Sequence, residues 1–145
     1  MGSQQSLLII LGVIVIAIAI TVGITIFKSN SSDADRNQVV NRLMSLSLKA
    51  QEYYREPSSM AGGGYTFQKF NLTSLDTGDA SGSYSIRHTL PRHADYAAGG
   101  TAPVHPPAST IYIVGCGKEI GMDGADPVKA YVAVSEDSMS VVILN

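Results

Sequence analysis

The chain has one cysteine, no cluster of basic residues and no charge at its start, and each of these absences excludes a class of protein. Cys116 is the single cysteine among 145 residues, so there is no intrachain disulfide and no cysteine metal cluster. Ten Lys and Arg against twelve Asp and Glu give a net charge of −2. Because the basic residues form no patch, nothing favours phosphate contacts, and we expect no nucleic acid as a partner.

The charges are unevenly distributed, since none of them lies in residues 1–27. Within this arm, residues 7–27 form an uninterrupted apolar run whose only polar side chains are Thr21 and Thr25. As a helix the run would be about 31 Å long, close to the hydrocarbon thickness of a bilayer. Its Leu, Ile, Val and Phe residues together favour insertion by roughly 5–9 kcal/mol. The arm must therefore lie in lipid or pack among other apolar helices.

The arm does not have the pattern of a cleaved signal peptide. Residues 1–6 contain no Lys or Arg, and the apolar run is longer than the usual signal core of about 7–15 residues. No small-residue cleavage site precedes a polar mature start. We expect the arm to be retained.

A helical pattern resumes after the polar stretch 28–35. One apolar stripe runs along residues 36–55, and Val40 and Met44 are expected to widen it; its members are Val39, Leu43, Leu46, Ala50 and Tyr53. Pro57 ends the pattern. The sequence predicts a long helix over residues 1–56, either continuous or as two nearly collinear pieces, with an amphipathic half at 33–56.

Residues 57–145 are predicted to form a small globular head. Residues 60–64 (MAGGG) are interpreted as a flexible joint, and 91–109 as a surface loop rich in Pro, Gly and Ala. Short alternating runs predict strands at 65–70, 84–90, 111–115, 129–134 and 139–144, the last two joined by a hairpin loop at 135–138. The predicted fold is α+β, with a terminal antiparallel sheet packed on the amphipathic half of the helix.

No residue pattern supports catalysis, so we expect no catalytic residues, no metal and no cofactor. The histidines His88, His93 and His105 match no compact metal motif, and no phosphate-binding loop or nucleophile elbow is present. Asp123 and Asp126 match a calcium loop only in part and favour a solvated turn. Cys116, between two glycines, is interpreted as a small buried residue beside a strand.

A charge-free apolar N-terminal helix, its amphipathic continuation, a glycine-rich joint and a terminal antiparallel sheet together resemble the type IV pilins and the related pseudopilins. The resemblance implies an arm that first anchors the subunit in the inner membrane and then forms the helical core of an extracellular filament. It also implies copies of the chain as partners, together with a prepilin peptidase, N-terminal methylation and a pilus assembly machinery.

The resemblance assigns an assembly role to the arm, with residues Met1, Gln5, Leu7, Leu11, Gly12, Ile14, Ile18 and Gly23 in the helical core. If Met1 is the first mature residue, Gln5 occupies the place where most pilins have Glu. If cleavage follows Gly2, Ser3 is first and Leu7 takes that place. The resemblance implies that this Glu neutralises the terminal amine of a neighbouring subunit. The chain departs from the family pattern in either register, because the Gln5 amide can hydrogen-bond that amine but cannot neutralise it, and Leu7 can do neither.

Three other interpretations remain open at this point. A pseudopilin of a secretion machine would form only a short piston. A single-pass membrane protein would present the head as a binding module on flexible residues 28–35, and a processed secreted protein would lose residues 1–27.

Overall fold

The computed structural model of this chain describes residues 2–92, 96, 108–121 and 123–145. One long helix packs against a four-stranded antiparallel sheet, so the predicted α+β arrangement is confirmed. The elements in chain order are helix α1 (Gly2–Arg55), a short 3-10 helix (Ser58–Met60) and strands β1 (Gly82–Arg87), β2 (Thr110–Ile120), β3 (Pro127–Ser135) and β4 (Met139–Ile143).

Helix α1 is continuous through the polar stretch 28–35, which selects one helix over two collinear pieces. It also passes Gly12 and Gly23 without a break. Asp33 and Asp35 therefore lie inside the helix, where no cap is needed. The chain leaves the helix just before Pro57, whose fixed φ and missing N–H prevent continuation.

The glycine-rich segment after the helix is an ordered turn, so its interpretation as a flexible joint is wrong. Gly63 N–H donates to Tyr53 O at 2.7 Å and Gly64 N–H donates to Glu56 O at 2.9 Å, which satisfies carbonyls that the helix end leaves open. A Cβ at Gly63 would overlap the Thr66 carbonyl oxygen, so glycine is needed for this close approach. The segment is the C-terminal cap of α1.

The strands lie in the order β1-β2-β3-β4, and every neighbouring pair is antiparallel. The predicted strands at 84–90, 111–115, 129–134 and 139–144 correspond to these four with shifted ends, the largest change being the extension of β2 to Ile120. The predicted strand at 65–70 is absent. Tyr65 and Lys69 both have φ of 67°, and Phe70 N–H donates to Phe67 O, so this segment turns and cannot extend.

The core lies between one stripe of α1 and one face of the sheet. The stripe residues Val39, Leu43, Leu46 and Ala50 are fully buried and meet inward-facing residues of β2 and β3, namely Ile111, Ile113, Val128, Ala130, Val132 and Val134. The strand register places these residues on the same face of the sheet, because Val132 lies opposite Ile113 and Val134 lies opposite Ile111. Alternation along each strand therefore gives the sheet one apolar face, which the helix covers.

The end of the stripe differs in detail from its prediction. Tyr54 is buried and its ring centroid lies 4.8 Å from that of Phe67, whereas the ring of Tyr53 is half-buried against Phe70. The Tyr53 hydroxyl donates to Gln68 O at 2.8 Å. Met44 does not widen the stripe, since it is 48% exposed on another side of the helix.

Replacing Leu43 or Leu46 by Ala should lower the free energy of unfolding of the head by about 2–5 kcal/mol, because each deletion leaves a cavity between helix and sheet. Leu48→Ala is the matched control, since Leu48 is on the same helix but exposed, and should change stability by at most about 0.5 kcal/mol. Thermal and denaturant unfolding of the full chain in detergent micelles measures both. Equal effects of the three substitutions would contradict the assigned helix face.

Candidate assembly surface

The arm is the largest unpartnered apolar surface among the described residues. All fifteen of its Leu, Ile, Val and Phe side chains are between 50% and 73% exposed. An 18-residue window within α1 has a mean hydropathy of 3.2 and no buried residue, so the helix is long and apolar enough to cross a membrane. In water this surface would have no stable environment.

Three hydroxyl groups of the arm are hydrogen-bonded within the helix. Ser6, Thr21 and Thr25 each donate a hydroxyl hydrogen bond to a backbone carbonyl four residues earlier, at 2.9, 2.8 and 3.0 Å. Because these hydroxyls need no water, the apolar run 7–27 can enter lipid or a protein interior without leaving a hydroxyl donor unpaired.

The residues predicted for the filament core divide between two sides of the arm. At about 100° per residue, Leu7, Leu11, Ile14 and Ile18 fall on one face, whereas Gln5, Gly12 and Gly23 fall near the opposite one. A Cβ on Gly12 or Gly23 would meet no described atom within 4 Å, so no contact among the described residues of one chain requires glycine at these positions. Met1 lies outside the described residues.

The arm is joined to the head through Asp35, a residue whose role the sequence pattern does not reveal. Asp35 is 7% exposed, and its Oδ2 accepts hydrogen bonds from the backbone N–H groups of Lys118 and Glu119, each at 3.1 Å. These donors are available because the β2–β3 pairing is interrupted between Cys116 and Ile120. A Cβ at Gly117 would overlap Asp35 Oδ2, so the glycine gives the carboxylate its room.

A groove of about 590 Å³ lies where the arm leaves the head. Its lining includes the apolar side chains of Phe27 and Ile120 and the charged residues Lys28 and Glu119. Phe27 is 73% exposed here and Ile120 is also exposed, so the apolar surface of the arm continues onto the C-terminal end of β2. Ser32, which also lines the groove, is the first buried residue of the helix.

A charged network fixes one side of α1 to the segment before β1. Asp76 Oδ1 lies 2.8 Å from Lys49 Nζ and 3.2 Å from the Arg42 guanidinium, and Asp79 lies 3.3 Å from the same guanidinium. The hydrogen bond from Lys49 is the main cause that holds the pKa of Asp76 below its usual value, with further support from Thr73 and Arg42 that outweighs desolvation by burial. The network draws both basic side chains of residues 37–49 to one side of the helix.

The residues considered for catalysis or metal binding do not come together in the described part of the chain. No group of three or more His, Cys, Asp or Glu side chains with metal-binding geometry occurs in residues 2–92, 96, 108–121 and 123–145. His88 is exposed, and His93 and His105 lie outside the described residues. Cys116 is within β2 and half-buried, and desolvation raises the pKa of its thiol.

The turn at 123–126 is closed by its own hydrogen bonds. Asp123 Oδ1 accepts from the N–H groups of Ala125 and Asp126, and Asp123 Oδ2 accepts from Asn145 Nδ2 at 3.1 Å. The bond from Asn145 is the main cause that lowers the pKa of Asp123. These contacts account for both carboxylate oxygens of Asp123.

No protein-family model matches the chain, and neither the curated proteins nor the solved structures contain a match.

Asp35→Ala should lower the free energy of unfolding by about 1–3 kcal/mol, because two N–H groups of β2 lose their acceptor. Asp35→Asn keeps an oxygen acceptor and should lose less. Asp33→Ala, two residues away and half-buried, is the control, with an expected change within about 0.5 kcal/mol. Unfolding of the full chain in micelles gives the three values, and an Asp35→Ala protein as stable as the Asp33→Ala protein would refute the role of Asp35.

Protonation of Asp76 should lower the free energy of unfolding of the head at acidic pH. Its folded-state pKa is lowered, so its stabilising contribution is complete above the unfolded-state pKa of about 4 and is lost as the pH falls through the folded value. The stability difference between wild type and Asp76→Asn should be constant from about pH 5 to pH 7 and shrink below about pH 4. A difference that is unchanged down to about pH 2 would show that the carboxylate charge is not what stabilises the head.

Proposed function

We propose that this chain is a non-enzymatic structural subunit of a type IV pilus-like extracellular filament, polymerising through its arm. The observation that carries the proposal is a charge-free apolar arm that belongs to the same unbroken helix as the core stripe of the head. Copies of the chain are the main partner. A membrane holds the subunit before assembly, and processing by a prepilin peptidase, methylation and an assembly machinery follow from the family resemblance.

The exposed arm supports polymerisation because it needs apolar cover on every side. Lipid can supply that cover before assembly, and the arms of other copies can supply it afterwards. The transfer breaks no hydrogen bond within residues 7–27, since their backbone groups and the hydroxyls of Thr21 and Thr25 are bonded within the helix. The head needs no refolding for this transfer, because its core begins beyond the arm.

The rigid junction argues against a tethered binding module. Such a module would have flexible residues at 28–35, whereas these residues are helical here and Ser32 and Asp35 are buried against the head. A rod with a fixed head suits regular stacking, in which every copy must present the same geometry. The second candidate is a pseudopilin-like subunit of a short piston, whose arm would need the same apolar cover; the length and abundance of the assembly separate it from a pilus-like filament.

Electron microscopy of material sheared from the cell surface, with mass spectrometry of its subunits, tests the proposal. Thin regular filaments composed mainly of this chain would support a pilus-like filament, and their N-terminal peptide would distinguish a start at Met1 from one at Ser3. Short, sparse assemblies would favour the piston. Dispersed protein confined to the membrane fraction would contradict polymerisation.

Ile14→Asp or Ile18→Lys should abolish filaments, because each places a charge within an apolar interior at a cost of about 2.5–3.5 kcal/mol or more. Ile14→Leu is the control and should assemble as the wild type does, since it preserves volume and apolarity. Immunoblots of sheared and membrane fractions give the ratio of assembled to unassembled subunit. A normal filament yield from Ile14→Asp would contradict the assembly role of the arm.

A further inference from the structure

The C-terminal part of β2 runs along α1 toward the arm. A Cβ at Gly115 would lie 3.0 Å from Val39 Cγ1, and a Cβ at Gly117 would overlap Asp35 Oδ2. Two residues forward along the strand thus correspond to four residues back along the helix, as rises of about 3.3 Å and 1.5 Å per residue require. The strand therefore approaches the arm as it nears its C-terminal end.

The last residue of β2 lies at the junction between the arm and the head. From Gly117 to Ile120 the strand covers about 10 Å, equivalent to about six or seven helix residues, which places Ile120 near Lys28. The groove at this junction agrees with that level, because its lining includes residues 27–29 together with Ile120. A residue of the sheet therefore lies beside the end of the apolar run.

The final three residues of β2 project beyond the neighbouring strand. The pairing of β1 with β2 reaches only Gly117, so residues 118–120 extend past the end of β1. All three are exposed, and none contributes to the core. They are nevertheless fixed in position, because the N–H groups of Lys118 and Glu119 both donate to Asp35 Oδ2. We call residues 118–120 the β2 extension.

The β2 extension lies at the height of a bilayer surface when the arm spans a membrane. The charge-free run ends at Phe27 and the first charged residue is Lys28, so the hydrocarbon boundary falls at this point of the helix. Ser32, the first buried residue of α1, follows Phe27 by about 7.5 Å along the axis. The headgroup layer on one side of a bilayer is about 5–8 Å thick. The head therefore begins within reach of this layer, and the β2 extension reaches toward its inner boundary.

The side chains at this level suit a lipid surface. Ile120 is 56% exposed and lines the same groove as Phe27, so two large apolar side chains lie at the boundary, one from the sheet and one from the helix. Lys28 and Lys118 are exposed, and a lysine stem can lie along apolar surface while its ammonium group reaches a lipid phosphate. Because Glu119 adds an exposed carboxylate, the contact depends on the apolar pair and not on net charge.

We propose that the β2 extension contacts the phospholipids of the membrane that holds the arm, with Ile120 beside Phe27 at the edge of the hydrocarbon. This inference rests on the membrane-held stage of the proposed function and identifies a part of the head that takes part in it. The contact lies off the helix axis, so it opposes rotation of the head about the arm and tilting of the head away from the membrane. Departure from the membrane removes the contact without refolding the head, because the extension is fixed by Asp35.

Tryptophan fluorescence tests this contact, because the chain contains no Trp. The full-length Ile120→Trp chain should show about half the emission or less in phosphatidylcholine vesicles brominated near the headgroup end of the acyl chains, compared with unbrominated vesicles. Phe27→Trp is the positive control for insertion of the arm. Leu75→Trp is the negative control, since Leu75 is 82% exposed and its carbonyl oxygen lies 3.5 Å from the Arg42 guanidinium, about 22 Å beyond Phe27 along the helix.

The three positions separate the possible outcomes. Quenching at positions 120 and 27 but not at 75 would support the inference. Quenching at 27 with none at 120 would overturn it and leave the membrane-held stage of the proposed function intact, whereas no quenching at 27 would remove both. Ile120→Trp should unfold in micelles at the wild-type midpoint, because the side chain at position 120 is exposed.

Photolabelling of the wild-type chain avoids the introduced Trp, which itself favours membrane interfaces. In phosphatidylcholine vesicles that carry a diazirine near the headgroup end of the acyl chain, irradiation should give lipid adducts on peptides containing the β2 extension as well as on the arm. Ile120→Glu should lower the ratio of extension adducts to arm adducts at least about threefold, because a carboxylate replaces an apolar side chain at the hydrocarbon edge. Leu75→Glu is the control and should leave the ratio unchanged. Adducts confined to the arm of the wild-type chain would overturn the inference.

Discussion

The structure depends on a single helix that serves two environments. Over the arm, α1 exposes apolar side chains in all directions, and from Ser32 onward it buries one side, which holds the stripe together with Asp35 and Ser47. The backbone hydrogen bonds are the same in both parts, but the side chains require different surroundings. The sheet covers that stripe, the glycine turn closes the C-terminal end of the helix, and the segment before β1 is bound to the helix by ion pairs.

The attachment of the head uses different chemistry on different sides of the helix. Apolar packing through Leu43 and Leu46 supplies the broad contact. The Asp35 carboxylate adds directional hydrogen bonds to the C-terminal end of β2. The ion pairs of Arg42 and Lys49 hold the segment before β1 against the helix, and the glycine turn caps the C-terminal end of α1. Together these contacts set the direction in which the arm leaves the head.

The features that follow from periodicity could be predicted from the sequence, whereas those that depend on distant partners could not. The spacing of Val39, Leu43, Leu46 and Ala50 marks a helix face whatever covers it, and alternation marks the strands. The segment at 65–70 alternates equally well, but positive φ at Tyr65 and Lys69 makes it turn, which composition does not reveal.

Asp35 and Met44 illustrate the same limit at the candidate site. The acceptor role of Asp35 depends on a pairing irregularity of β2 between Cys116 and Ile120. Its two N–H donors lie 83 and 84 residues later in the chain, so nothing near Asp35 in the sequence indicates this role. Met44 is predicted from the sequence to widen the stripe. Its angular position, about a third of a turn from the centre of the stripe, places it away from the sheet. Sequence indicates which residues are apolar, but the width of the covering sheet decides which of them are buried.

The turn formed by residues 62–64 has a mechanical consequence. A tensile load along the arm would act on α1 parallel to its interface with the sheet, so the stripe and the Asp35 hydrogen bonds would resist as a group, in shear, and would not open one at a time. The turn anchors the far end of the helix through Gly63 to Tyr53 and Gly64 to Glu56, where fraying would otherwise begin. The head is thereby fastened at both ends of the segment that bears the load.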